Sequence, residues 1–68
     1  MGYYLKEDVA KEISSKYRNS YIVEKLGLSK PYVSLILHRK RPIKKHIAYS
    51  FTKVIDMNLE IEDLFERV

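Results

Sequence analysis

Apolar positions along the chain repeat at helical spacing from its first residues. One stripe recurs every fourth residue, with Ala10 beside it, and its members are Leu5, Val9, Ile13 and Tyr17. Such spacing places the apolar side chains on one face of an amphipathic helix. The pattern therefore predicts a first helix over about residues 5–16.

A second, shorter helix is bounded by polar and glycine signals. Asn19 and Ser20 precede the segment "YIVEKL", and both are residue types that cap helix N-termini. Gly27 follows where the apolar pattern stops, and glycine readily takes the left-handed conformation that ends many helices. These signals predict a second helix over about residues 20–26.

A third helix is predicted immediately afterwards, over about residues 30–38. Ser29 can cap it, and Pro31 falls in the first turn, where a missing N–H group breaks no hydrogen bond. On a helical wheel the core face carries Tyr32, Val33, Ile36 and Leu37. The other face carries Lys30, Pro31, Ser34, Leu35 and His38.

The last third of the chain again shows helical spacing. The pattern predicts helices over about residues 44–56 and 60–67, the latter with Ile61, Leu64, Phe65 and Val68 on one side. No segment alternates for long enough to indicate a strand. The sequence therefore predicts one all-α domain over residues 1–68, a compact bundle of five short helices. Residues 1–4 are interpreted as a flexible arm, a dimer contact or, least favoured, a minor-groove arm.

The distribution of charge adds to this picture. The 68 residues carry a formal charge of +4, but residues 29–53 hold seven bases and no acid. Residues 54–68 hold five acids and one base. An acid-free basic segment indicates a positive surface that faces a polyanion, although a solvated face that keeps the protein soluble is the alternative.

The residue types present argue against an enzyme or a metal protein. The chain has no cysteine, and its two histidines, His38 and His46, are eight residues apart without a local carboxylate. It also lacks a nucleophile–base pair and a glycine-rich phosphate loop. We therefore expect no catalysis and no cofactor. No apolar run approaches the length of a membrane span, so we expect a soluble intracellular protein.

The span Asn19–His38 resembles the helix-turn-helix of the lambda-repressor/Cro-like family, also called XRE, and "EKLGLSKPYVSLI" carries the resemblance best. The segment "HRKRP" is similar to the family's basic loop, and "NLEIEDLF" to its last short helix. The resemblance covers about residues 5–65. Val23 stands where the family often has a small residue, and Asn19 where it often has glutamine. The resemblance implies a lambda-repressor-like bundle whose third helix enters the DNA major groove.

The resemblance also implies two sets of DNA contacts. The residues expected to face the bases are Lys30, Pro31, Tyr32, Ser34 and Leu35. The residues expected near phosphates are Asn19, Ser20, Tyr21, His38, Arg39, Lys40, Arg41, Lys44 and Lys45. For Tyr32 the alternative is a core aromatic with a wet hydroxyl, and for Leu35 a half-covered boundary residue.

The implied function is a sequence-specific regulator of transcription, of phage, plasmid or mobile-element type. We expect it in the cytoplasm of a bacterial or phage-infected cell, associated with the nucleoid. We expect a homodimer on a pseudo-palindromic operator, since one small domain offers little contact area. Its expected interface is the acidic C-terminal helix with Leu59, Val68 and, less favoured because it suits the core, Phe65. One alternative is an antitoxin-like module that binds a protein through its C-terminal acids and regulates its own synthesis. The other alternative is an excisionase-like architectural DNA-binding protein.

Overall fold

A computed structural model describes residues 2–68, and these form five helices and one two-stranded sheet. In chain order the elements are β1 (Tyr3–Leu5), α1 (Glu7–Lys16), α2 (Asn19–Leu26), α3 (Lys30–Leu37), α4 (Lys45–Ile55), α5 (Ile61–Leu64) and β2 (Phe65–Arg67). The predicted small, mostly helical domain with five short helices is confirmed. The all-α prediction holds only in part, because the two ends of the described chain pair as short strands.

The sheet joins the start of the chain to its end. Strand β1 runs antiparallel to β2, with Leu5 opposite Phe65. On its other side β1 meets Ile43, where Tyr3 and Ile43 exchange two backbone hydrogen bonds of 2.9 Å. Tyr3 and Tyr4 therefore belong to an ordered strand, and the predicted flexible arm is wrong for them. Residue 1 of that arm lies outside the described residues.

Two predicted helix ends were wrong for the same physical reason. Helix α1 begins at Glu7 rather than near Leu5, and α5 ends at Leu64 rather than near residue 67. Leu5 and Phe65 are buried, as their apolar character suggested, but they belong to strands rather than to helices. Strand pairing between distant segments leaves no local periodicity when each strand has only three residues.

The core is built from all the helices and from both strands. Its buried apolar residues are Leu5, Ala10, Ile13, Ile22, Val33, Ile36, Leu37, Ile43, Ala48, Phe51, Ile61, Leu64 and Phe65. Phe51 and Phe65 meet edge to face at 5.6 Å between ring centroids, an arrangement that aromatic pairs prefer. Val68 was predicted to share a face with Phe65, but it is exposed, since the chain continues as strand rather than helix.

The turn between α2 and α3 follows its sequence signals closely. Gly27 is left-handed, with φ 72°, and ends α2 as predicted. The Ser29 hydroxyl accepts a hydrogen bond from the Tyr32 N–H, and Pro31 lies in the first turn of α3. The start of α2 differs from the prediction. Arg18 is the extended residue before the helix, and Asn19 is its first helical residue, so neither Asn19 nor Ser20 is the cap.

Candidate nucleic-acid interface

Helix α3 is held against the core by three buried side chains. Val33, Ile36 and Leu37 are buried, which confirms most of the predicted core face. On the opposite side, Lys30 and Pro31 are exposed at the start of the helix. The anchored face thus fixes the orientation of α3, and its first two residues, Lys30 and Pro31, face solvent.

Three residues of α3 lie between these two faces. Tyr32, Ser34 and Leu35 are each half-buried. Tyr32 packs against the buried core, whereas Leu35 is not among the partly buried residues of the described chain that do so. The structure therefore favours packing as the role of Tyr32. Leu35 keeps part of its surface in solvent beside Ser34.

Helix α3 ends in a turn with a left-handed backbone conformation, which few residues other than glycine adopt readily. The Arg39 N–H donates to the Ile36 carbonyl at 3.2 Å, and the Lys40 N–H donates to the Leu35 carbonyl at 3.0 Å. This is the Schellman pattern, whose left-handed position is usually glycine. Here Arg39 occupies that position with φ 54°. A left-handed conformation costs a non-glycine residue about 1–2 kcal/mol.

The Arg39 side chain is held by groups from both ends of the chain. Its guanidinium donates to the Glu66 carboxylate at 2.8 Å and lies 3.8 Å from the Glu7 carboxylate. It also lies 6.0 Å from the centre of the Tyr4 ring. Its Nε is buried, with no hydrogen-bond partner among the described residues. Arg39, predicted as a phosphate contact, is thus engaged inside the fold.

The remaining bases around α3 are free of acidic partners. Within residues 2–68, no carboxylate forms a salt bridge with the exposed residues Lys30, Lys40, Arg41, Lys44 and Lys45. Lys30 begins α3, and the other four follow its end. His38, the residue after the last helical residue, is also exposed. Unpaired positive charge therefore lies at both ends of the helix.

The segment that carries these bases is fixed to β1. Ile43 is buried and bonded to Tyr3, as described above. Next to it, Pro42 packs so closely on Gly2 that a Cβ at Gly2 would lie 2.6 Å from the Pro42 Cβ. The basic loop, residues 40–45, is thus attached to the sheet in its middle. Sequence reasoning missed Ile43, since one buried residue between bases forms no periodic pattern.

The start of α2 carries another group of predicted contacts. Asn19 is half-buried, and Ser20 and Tyr21 are exposed. No side chain caps this helix, and the Tyr21 N–H donates to the Arg18 carbonyl at 3.1 Å. The N–H groups of Asn19 and Ser20 have no acceptor among the described residues and can meet an anion. The Tyr21 ring stacks on the Tyr17 ring at 5.7 Å, and Lys25 lies 5.8 Å from its centre.

Most acids of the C-terminal segment have partners within the fold. Glu60 and Asp63 form a reciprocal capping box at α5, and the Asp56 carboxylate accepts a hydrogen bond from the Asn58 N–H at 2.9 Å. Glu66 is bonded to Arg39. Of the predicted interface residues outside this set, Phe65 is buried, Leu59 is half-buried and only Val68 is exposed.

No helix of the described chain is long and apolar enough to cross a bilayer.

Comparison with known proteins identifies no relative of this chain. No family model, no curated protein and no solved structure matches the chain. Its function must therefore be inferred from its own residues.

Proposed function

We propose that this protein binds double-stranded DNA in a sequence-specific manner and regulates transcription, as Cro-like repressors do. Helices α2 and α3 then form a lambda-repressor-like helix-turn-helix, with α3 in the major groove. The observation that carries the proposal is a core-anchored helix whose first two residues are exposed and which has unpaired bases at both ends. Such a surface suits a polyanion whose groove lies between two rows of phosphates.

The dimensions of α3 are compatible with this role. Eight helical residues span roughly 12 Å, and the major groove is about 12 Å wide. In helix-turn-helix proteins the N-terminal part of the second helix reaches the base edges. Lys30 can donate to guanine O6 and N7, Ser34 can contact several bases, and a Leu35 methyl can pack on a thymine methyl.

The phosphate contacts are assigned to the exposed bases and to the start of α2. Lys40, Arg41, Lys44 and Lys45 flank one side of the groove, with His38 at the end of α3. The free N–H groups at the start of α2, with Asn19, Ser20 and Tyr21, meet a phosphate on the other side. These contacts fix the position of α3 but carry no sequence information.

A pair of domains is required for useful specificity. One domain of 68 residues covers a single half-site, and two half-sites of this class lie about 34 Å apart. The protein is therefore proposed to act as a homodimer on a pseudo-palindromic operator. The acidic C-terminal segment, residues 54–68, gives no comparable support for an antitoxin-like function, because most of its carboxylates have partners within the fold.

Selection of bound sequences from a random DNA pool, at about 50 and 200 mM salt, tests the proposal. We expect an enriched motif with two-fold symmetry and an affinity that falls steeply with salt. Recovery of no motif would contradict sequence-specific binding. Recovery of one unpaired half-site would contradict the homodimer and leave sequence-specific binding intact.

A further inference from the structure

The basic loop carries four unpaired cations, yet its own backbone and the residue before it are both attached to the fold. In its middle, Ile43 exchanges two hydrogen bonds with Tyr3. Just before it, the Arg39 guanidinium is bonded to Glu66 of β2 and lies near Glu7 at the start of α1. A flexible loop loses conformational entropy when it becomes ordered on DNA, whereas a loop that is already attached to the fold avoids most of that cost.

If Arg39 served only as a positive charge for DNA, its position in this turn would be unexpected. Its left-handed backbone is strained, and a glycine would end α3 without that strain. A phosphate contact would need a solvated guanidinium, but two thirds of the Arg39 side chain is covered, since 33% is exposed. At this position a long, forked cation interacts with two carboxylates and an aromatic ring, which a glycine cannot do.

We infer that Arg39 is a positioning residue, which fixes the end of α3 and the first residues of the basic loop to β2 through Glu66 and to the start of α1 through Glu7. Its guanidinium stabilises the fold, whereas the neighbouring Lys40 and Arg41 contact the phosphates. The inference rests on the proposed function for its effect on DNA, but the order of the loop can be measured without DNA.

The sharpest test is Glu66→Gln, which removes the charge of the acceptor and keeps its shape. Glu66 is half-exposed, so the variant is expected to fold. If Arg39 positions the loop, the amide order parameters of residues 40 and 41 fall in the free protein. Affinity for the selected operator falls as well, on the order of threefold, from the loss of a partly exposed ion pair.

The electrostatic alternative predicts the opposite sign. Removing an acid beside a polyanion raises affinity in general, and a released Arg39 would add a phosphate contact. A rise in affinity for Glu66→Gln would therefore overturn the inference. The matched control is Glu62→Gln, an exposed acid of α5, which changes the net charge equally and is expected to leave loop order unchanged.

A second variant, Arg39→Gly, keeps the left-handed turn accessible and removes the guanidinium. The positioning role predicts a loosened loop, weaker binding and an unchanged dependence of affinity on salt. A salt slope that falls by roughly 1 would identify Arg39 as a direct phosphate contact and overturn the inference. If the wild-type protein selects no DNA, the proposed function fails, and the order of the loop amides still decides the role of Arg39.

Discussion

Gly2 and Pro42 are so close that no side chain fits between them. A Cβ added at Gly2 would lie 2.6 Å from the Pro42 Cβ and 3.1 Å from the Ile43 carbonyl oxygen. The backbone of Gly2, just before β1, is therefore packed against the Pro42 side chain and the Ile43 backbone of the basic loop. Any enlargement at residue 2 must push these two segments apart.

Gly2→Ala is expected to destabilise the protein by about 1–3 kcal/mol, the usual cost of overpacking. It should also weaken the hydrogen bonds between Tyr3 and Ile43. Chemical denaturation measures the first effect, and amide hydrogen exchange at Tyr3 and Ile43 measures the second.

Gly27 provides the control, because its glycine is required by the backbone conformation and not by a close contact. Its φ is +72°, but a Cβ there would meet nothing within 4 Å. At this position asparagine should be tolerated better than alanine, since asparagine adopts the left-handed conformation more readily. At residue 2 the larger asparagine should be worse than alanine. The same order of stabilities at both sites would contradict the steric explanation for Gly2.

Phe65→Ala is expected to cost about 3–5 kcal/mol, since Phe65 is buried and packs edge to face on Phe51. That loss is comparable with the total stability of a marginal small domain. The control is Val68→Ala at the exposed chain end, which should change the free energy of unfolding by less than about 0.5 kcal/mol. Similar losses for both variants would contradict the inclusion of β2 in the core.

Local signals predicted the centre of the molecule well. Gly27, Ser29 and Pro31 act within a few residues of themselves, and each takes the conformation expected of it. The buried positions of α3 followed from helical spacing alone. Here sequence and structure agree, because the relevant energies are those of caps, turns and one amphipathic face.

The rest depended on contacts between distant segments. The pairing of Leu5 with Phe65 and of Tyr3 with Ile43 joins parts of the chain that no local pattern relates. The role of Arg39 was missed for the same reason. In sequence it belongs to a basic run, and only the fold brings Glu7 and Glu66 to it.

Arg41→Ala is expected to weaken binding to all DNA sequences alike and to lower the salt slope by roughly 1, since one phosphate contact is lost. Arg41 is exposed at the start of the basic loop. Titrations with operator and random DNA at several salt concentrations measure both quantities. Lys16→Ala is the control, because Lys16 lies at the end of α1 and pairs with Glu12 at 3.5 Å. An equal change of slope in both variants would show only an effect of net charge.

Leu35→Ala is expected to change the base preference at one position of each half-site. Leu35 is half-buried on α3 beside Ser34, so a methyl group at its solvent side can distinguish thymine from cytosine. Repeating the selection with the variant and comparing the two motifs measures the effect. A uniform loss of affinity for every sequence would mean that Leu35 only supports the packing of α3. Chemical denaturation separates the two cases further. Leu37→Ala, at a buried neighbour, should lower the free energy of unfolding by about 2–5 kcal/mol, and Leu35→Ala should lower it clearly less.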